Sequence, residues 1–393
     1  METVISKKVV YLIMNINFKL KQVVNFIVKD PIIWYLFGFL IFGLFLNSEV
    51  KAEPYLAIRT NQPCSACHIN PLGGGGRNSF GAYYGSQVLP ANAGDTSAMD
   101  AGQITELFRI SGDLRMNLNN SDNDADETSR GFNTQSGQIY IAIQPKGSKF
   151  MLYIDEQVAP GGALNREAWV KAQLGNSRHY VKAGTIMLPF GYRIEDDEAF
   201  GRIASRVNFD SRDTGVELGL EFSKVTINFA VSNGSPSPTN SDTLFSYATR
   251  AEYIGNNYRA GVSYLTNETE QTGIDSQTDM FALFGGFNLM GFTFLSEFDS
   301  VSEEFNGVET TQQALLFEVN KEIKKGYNLK LTLEELDPDT DVDNDERTRN
   351  SILLEATPWA NVQMRTGIRV YEDIPQRASG TGNEAFVQLH LYY

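Results

Sequence analysis

Residues 215–231 read GVELGLEFSKVTINFAV, and their side chains alternate between apolar and polar on both sides of Ser223 and Lys224. The apolar members occupy every second position: Val216, Leu218, Leu220, Phe222, Val225, Ile227, Phe229 and Val231. Successive side chains of a β-strand point to opposite faces of a sheet. The stretch therefore predicts two strands joined by a tight turn, with one apolar face and one polar face.

The same alternation recurs from Gln103 to the C-terminus, in about sixteen segments of roughly ten residues each. The predicted strands span 104–117, 137–146, 149–158, 165–175, 178–188, 213–223, 224–233, 244–254, 256–266, 278–289, 291–301, 310–321, 326–336, 347–357, 361–372 and 383–393. Short turns alternate with longer polar loops, among them residues 118–136 and 337–346. This alternation is typical of outer-membrane barrels, whereas a soluble β-sandwich or propeller would not explain it. We therefore expect an all-β fold in which residues 103–393 form an antiparallel transmembrane β-barrel of about 16 strands.

The final predicted strand keeps the alternation and ends on an aromatic residue. Its apolar positions are Val387, Leu389, Leu391 and Tyr393. This arrangement resembles the terminal strand by which bacterial outer-membrane proteins are recognised for insertion. We therefore expect the chain to lie in the outer membrane of a Gram-negative bacterium.

The N-terminus has the features of a secretion signal. A lysine-rich region is followed by an apolar run from Ile32 to Leu46 and by the ending Val50-Lys51-Ala52. This order predicts a signal peptide over residues 1–52, with an uncleaved membrane anchor as the alternative. The chain carries a formal net charge of −15, which argues against nucleic acid as a partner.

The segment between signal and barrel, residues 53–102, contains Cys64-Ser65-Ala66-Cys67-His68. This is the C-x-x-C-H pattern of c-type haem attachment, in which both thiols bind the porphyrin and the histidine binds iron as the proximal ligand. The chain has two cysteines in all. The alternatives are a disulfide and half of a zinc site, but zinc needs about four ligands. We therefore expect one covalent haem c held by Cys64, Cys67 and His68.

A segment of about fifty residues buries too little surface to enclose a porphyrin. The barrel is therefore expected to cover the haem, with the segment lying inside it as a plug. The run Gly73–Gly76 follows the motif closely. It predicts either close backbone approach to a flat ligand or a flexible linker.

The iron also needs a sixth ligand or an open position. Strand alternation places His390 toward the lumen, near the periplasmic end, and His179 toward lipid. His390 is therefore a candidate distal ligand, or else a hydrogen-bonded lumen residue. Met99 and Met116 are further candidates, because a thioether is a common partner to histidine.

Two predicted loops are rich in acidic residues. One holds Asp122, Asp124, Asp126 and Glu127, and the other, residues 337–346, has an aspartate at alternate positions. Such spacing suits hard cations such as Ca²⁺, or could attract ferrous and ferric ions electrostatically. A solvated acidic loop is the alternative in both places.

Residues 54–90, PYLAIRTNQPCSACHINPLGGGGRNSFGAYYGSQVLP, resemble the head of the fused monohaem c-type cytochrome–porins of iron-oxidising bacteria. The resemblance implies an outer-membrane electron conduit that links an extracellular redox substrate, iron among the candidates, to periplasmic c-type cytochromes. Residues 188–193, LPFGYR, resemble the third-loop region of phosphate-selective-type porins. That likeness implies a loop that folds into the pore, where its charges form either a salt-bridged plug or a substrate site.

Three functional hypotheses follow. The first is the electron conduit, the second a diffusion porin with a tethered haem, and the third a haem-free porin with a Cys64–Cys67 disulfide. A nucleophile–His–acid set is not visible, since the chain has three histidines in all. An electron-transfer protein is therefore favoured over a conventional enzyme, with iron oxidoreductase activity left open.

Overall fold

The computed structural model describes residues 53–94, 102–196, 198–208, 211–235, 239–240, 242–271 and 274–393. The predicted signal peptide and Met99 lie outside these residues. Within them, sixteen strands form a closed barrel. The strands are β1 Phe108–Asn123, β2 Thr128–Ile143, β3 Phe150–Ala159, β4 Leu164–Gln173, β5 Tyr180–Met187, β6 Arg212–Glu221, β7 Val225–Ser232, β8 Ser246–Ile254, β9 Tyr258–Gln271, β10 Ile274–Leu289, β11 Phe292–Phe305, β12 Val308–Lys324, β13 Tyr327–Asp337, β14 Arg347–Trp359, β15 Val362–Glu372 and β16 Gly382–Tyr392.

Each strand pairs antiparallel with its neighbours in sequence, and β1 closes the ring by pairing with β16. In that seam Asp113 lies opposite Tyr392 and Asn123 opposite Gly382. Every predicted strand overlaps an observed one, which confirms the fold class, the strand number and the antiparallel order.

The predicted loop over residues 118–136 is wrong. β1 and β2 run through most of it and are joined by a turn at residues 124–127. The alternation of short turns and longer loops also predicts a loop near residues 302–309, but a tight turn at residues 306–307 joins β11 to β12 there. A strand needs an apolar face only where it meets lipid or a core, so paired strands beyond the membrane can be polar on both faces.

The outer face of the barrel is apolar, and the inner face is polar. Val216 is 49% exposed while the neighbouring Glu217 is fully buried, and Leu331 is 42% exposed while Lys330 is 4% exposed. A closed barrel with an apolar outer band satisfies its backbone hydrogen bonds within the ring and presents apolar side chains to lipid. The barrel is therefore a transmembrane barrel of the outer-membrane type.

Three short α-helices are described: α1 Pro54–Thr60, α2 Ser79–Tyr83 and α3 Phe200–Ser205. No helix among the described residues is long and apolar enough to cross a membrane.

The N-terminal segment, residues 53–94, lies inside the barrel. Its hydrogen bonds reach well-separated parts of the ring. Tyr55 donates to Glu355 of β14 (2.9 Å), and Asn70 donates to Glu167 of β4 (2.6 Å). The segment thus occupies the lumen.

A second piece of chain also fills the lumen. The inward loop, residues 188–211, connects β5 to β6 and carries α3. Its Asp196 carboxylate lies 3.1 Å from the guanidinium of Arg349 and 3.0 Å from that of Arg369 on the opposite wall. The loop therefore folds inward as predicted from LPFGYR, and it is held by ion pairs.

Candidate functional site

The Cys64–His68 motif folds as a compact turn. Residues 64–66 form one turn of 3₁₀-helix, and the backbone N–H groups of Cys67 and His68 both donate to the carbonyl of Cys64, at 3.1 and 3.0 Å. Two intervening residues are enough to close this turn, so the spacing of the motif fixes both thiols and the imidazole in one local unit.

Asn78 holds this turn from the outside. Its side-chain amide donates to the carbonyls of Ser65 (3.2 Å) and Ala66 (3.0 Å), and its side-chain oxygen accepts the N–H of Gly81 at 2.9 Å. The last bond caps the N-terminus of α2. One asparagine therefore joins the motif to the helix that follows it.

The glycine run turns the chain back toward the motif. Gly73, Gly74 and Gly75 all have positive φ angles, of 94°, 73° and 61°, a region that other residues rarely adopt. The return brings Arg77 into antiparallel pairing with His68. Wall and loop contacts also hold the run in place, and its positive φ angles account for the glycines.

Those contacts come from two directions. Arg193 of the inward loop donates to the carbonyl of Gly73 at 2.8 Å, and the N–H of Gly76 donates to the hydroxyl of Tyr153 on β3 at 2.8 Å. The site is thus assembled from three parts of the molecule: the segment, the inward loop and the barrel wall.

Cys64, Cys67 and His68 line a single cavity of about 250 Å³. Leu56, Leu72 and Phe80 supply apolar surface. The polar and charged lining residues come from the segment, the inward loop and two strands, and include Glu53, Arg77, Tyr192, Arg193, Glu195, Arg250 and Arg259. Both cysteines are free thiols.

The Cys67 thiol and the His68 imidazole are uncharged at neutral pH. Burial, together with Cys64, raises the pKa of the Cys67 thiol to about 11. Burial and the nearby Arg77 guanidinium lower the pKa of His68 to about 4. The His68 ring is buried, and the backbone of Gly74 and Gly75 lies within hydrogen-bonding reach of it. A neutral imidazole is the form that binds a metal.

These residues fit a covalent haem c. Two thiols and a neutral imidazole share one partly apolar cavity, and this is the donor set that the group requires. The cavity is smaller than the roughly 300–1,000 Å³ usual for ligand pockets, so a porphyrin needs the flanking side chains to shift.

His390 lies where strand alternation predicts, facing the lumen and 3% exposed. Its Nδ1 lies 3.0 Å from the side-chain oxygen of Gln363, and its ring contacts Tyr392 at 5.2 Å between centroids. It does not line the cavity that Cys64 and His68 share. In this arrangement His390 is a hydrogen-bonded lumen residue, one of the two roles expected for it.

The other candidate ligands are placed differently. Met116 is 42% exposed on the lipid-facing side of β1, so it is not placed to be the distal ligand of the iron. Met99 falls outside the described residues and stays a prediction. His179 lies in the turn before β5, where its Nδ1 accepts the N–H of Glu221 at 3.0 Å, and it is half-buried beside Phe222.

The acidic loop at residues 337–346 is held by its own backbone. The Asp337 and Asp339 carboxylates each accept a backbone N–H two residues along, at 3.1 Å. Among the described residues, no group of three or more His, Cys, Asp or Glu side chains is arranged to hold a metal ion. Calcium binding there stays a prediction.

Sequence reasoning did not identify the arginines of the cavity as site residues. Arg250 on β8 and Arg259 on β9 are 7% and 3% exposed and face the lumen. The alternation of side chains along β8 and β9 could have identified both residues. It places each arginine on the inward face, where a cation needs a partner inside the barrel. Arg77 gave no such signal, since it lies on an irregular segment.

No protein-family model matches the chain, and no curated protein matches it in sequence. Solved structures of porins match its fold. The anion-selective porin from Comamonas acidovorans has a TM-score of 0.59 at 11% identity, covering 73% of this chain and 99% of that one. OmpF of Salmonella typhi, in complex with daunomycin, has a TM-score of 0.56 at 10% identity over 73% of this chain and 97% of that chain.

The outer-membrane channel DcaP of Acinetobacter baumannii has a TM-score of 0.53 at 11% identity, over 73% of this chain and 97% of that one. At such identities the likeness establishes the fold. A porin-type barrel with an apolar outer band confirms the predicted location in the outer membrane of a Gram-negative bacterium.

Proposed function

We propose that this chain is an electron conduit of the outer membrane, in which the barrel houses one covalently attached haem c. The observation that carries the proposal is the convergence of Cys64, Cys67 and His68 on one cavity inside the lumen. The sequence resemblance to fused monohaem cytochrome–porins also supports it. A bound haem supplies one-electron redox chemistry.

The residues of the chain have distinct tasks in this proposal. Cys64 and Cys67 hold the cofactor covalently, and His68 offers an imidazole nitrogen to the iron. The inward loop covers the site through Tyr192 and Arg193, which limits the access of water. Exclusion of water from a redox centre is one of the means by which a protein sets its potential.

The proposed partners are periplasmic c-type cytochromes on one side and an extracellular redox substrate, such as iron ions, on the other. Acidic residues at the ends of the longer hairpins support the second partner. The turn at residues 124–127 and the loop at residues 338–346 together carry eight acidic side chains. A negative rim raises the local concentration of cations.

A diffusion porin is the second candidate, and the porin-type fold favours it. The two candidates differ in what the cysteines do. In a conduit, electron transfer needs the haem attached to Cys64 and Cys67. In a diffusion porin, solute passage does not depend on either thiol.

The test uses lipid vesicles that contain the purified protein and enclose an oxidant, with a membrane-impermeant reductant outside. We expect the wild type to reduce the enclosed oxidant and the C64A/C67A variant to do so no faster than empty vesicles. Vesicle swelling in sugars measures the open pore separately and should be equal for both proteins. Equal reduction by both proteins would refute the conduit and favour the diffusion porin.

A further inference from the structure

Four arginines line the cavity that contains the cysteine–histidine motif: Arg77, Arg193, Arg250 and Arg259. Three of them already have partners. Arg193 donates to the carbonyls of Gly73 (2.8 Å) and Met187 (3.3 Å). Arg250 and Arg259 share the Glu252 carboxylate, at 3.4 and 2.6 Å. Each of these three guanidiniums therefore has a hydrogen-bond or ion-pair partner within the protein.

Arg77 differs from the other three. Its guanidinium lies 4.2 Å from the centroid of the Tyr392 ring. Among the described residues it forms no side-chain hydrogen bond and no ion pair. The Arg77 side chain is half-buried on the wall of the cavity, so its guanidinium can contact an anionic group that enters the cavity.

The guanidinium is also held in place. Tyr392 closes the last strand of the barrel, and its hydroxyl donates to the carbonyl of Gly85 at 3.1 Å. The backbone of Arg77 pairs with that of His68. The side chain therefore rests on a fixed aromatic ring, directly across from the residue that would bind iron.

The chemistry of the Arg77 guanidinium determines which kind of ligand group it binds best. A guanidinium presents a planar pair of N–H donors that matches the two oxygens of a carboxylate, and stacking on an aromatic ring leaves that edge free. We propose that Arg77 is a positioning residue that binds a carboxylate of the molecule in the cavity. This inference rests on the proposed function, in which that carboxylate is a propionate of the haem.

A cation beside the haem has a measurable consequence. Its positive charge opposes the additional positive charge of the ferric state, so it favours the reduced form and raises the midpoint potential. The potential should therefore follow the charge at position 77, being highest for Arg and Lys, lower for Gln and lowest for Glu.

The experiment compares full-length wild type with R77K, R77Q and R77E, each reconstituted in lipid. Spectroelectrochemical titration gives the midpoint potential, and resonance Raman spectroscopy gives the propionate bending band. We expect the potential to fall in the order above and the band to shift in R77Q and R77K, because lysine keeps the charge but not the two-pronged contact. R206Q is the matched control, since Arg206 is 68% exposed and pairs with Glu303 away from the cavity.

Several outcomes would overturn the inference. The inference fails if the midpoint potential is the same whatever the charge at position 77. It also fails if the propionate band is unshifted in both R77K and R77Q. If R77Q and R77E fail to load haem, the comparison of wild type with R77K decides: an unshifted band rejects the contact. Wild-type protein without covalent haem would instead refute the proposed function.

Discussion

Two pieces of chain fill the lumen of this barrel, and they are held in different ways. The inward loop is held by charge: Asp196 lies between Arg349 and Arg369, and the Phe200 N–H donates to Glu334 at 3.0 Å. The N-terminal segment is also tied to the wall, yet it retains unused groups at its centre. These are two free thiols, the His68 imidazole, and the Arg77 guanidinium, which has an aromatic contact but no ion pair among the described residues.

This difference separates a structural plug from a binding site. Where polar groups satisfy one another, a buried network rigidifies the fold and leaves nothing for a ligand. The proposed function puts the cofactor in the segment, where metal-binding and cationic groups surround one cavity. Substitutions in the two pieces should therefore have different effects, on stability for the loop and on cofactor content for the segment.

The largest effect is expected from removing both thiols of the segment. The C64A/C67A variant should lose all covalent haem, because no other cysteine exists to hold it. A haem stain on a denaturing gel of outer membranes measures this. Replacing Asp196 in the loop should leave the stain intact, and a stained double variant would contradict the assignment.

The next effect concerns the stability of the loop. Asp196→Asn removes the carboxylate that Arg349 and Arg369 share, while Arg349 keeps Glu334 and Arg369 keeps Glu384 as a partner. The loss of a hydrogen bond to a charged group costs about 1.5–3 kcal/mol. Urea unfolding in lipid vesicles should show that loss. Glu198→Gln is the control, because Glu198 is 61% exposed and lies 3.5–3.9 Å from the same arginines, so its loss should cost less than about 1 kcal/mol.

The same ion pairs predict a pH dependence. Burial opposes ionisation of Asp196, but Arg349 and Arg369 outweigh it and hold its pKa well below the usual range. A depressed pKa gives stability that is complete above the ordinary value of about 3.9 and is lost as the pH falls toward the folded-state pKa. The free energy of unfolding of the wild type should therefore fall in acid more steeply than that of D196N.

A smaller effect is expected where the segment is packed most tightly. A methyl group added at Gly81 would clash with the carbonyl oxygen of Cys67, so Cys67 must move. Such overpacking costs about 1–3 kcal/mol, and Gly81→Ala should lower the haem content per protein. Gly131→Ala meets no atom within 4 Å and should leave the content unchanged; a loss as large in both variants would contradict this account.

The smallest effect is expected at His390. Since His390 contacts Gln363 and Tyr392 but not the cavity, His390→Ala should cost about 1 kcal/mol in lost hydrogen bonding. The absorption spectrum of the haem should stay as in the wild type, whereas His68→Ala should change it. A spectral change in H390A would place His390 beside the iron.

The barrel wall could be predicted from the sequence because the membrane constrains each residue that faces it. Polarity alone assigns Val216 and Leu331 to the outer face of the barrel and Glu217 and Lys330 to the inner face. Residues 118–136 gave no such signal, because paired strands outside lipid can be polar on both sides. The polar composition of these residues predicts a loop, although they form a hairpin.

The site was predictable only where its chemistry is local. The thiols and imidazole follow one another in five residues, so their pattern could be recognised. Asn78 and Arg77 act through contacts that the motif does not specify, and Arg77 stacks on Tyr392 near the other end of the chain. Pairings of that kind depend on the tertiary fold, because no local spacing brings such residues together.

The position of Cys64 and Cys67 within the closed ring has a consequence for biogenesis. Strand β1 meets β16 only when the first and last strands of the barrel come together, and the ring then surrounds the segment on all sides. An attachment enzyme that must reach both thiols cannot work within that space. In the proposed conduit, haem is therefore joined to an unfolded precursor in the periplasm, and insertion into the outer membrane seals a cytochrome that is already complete.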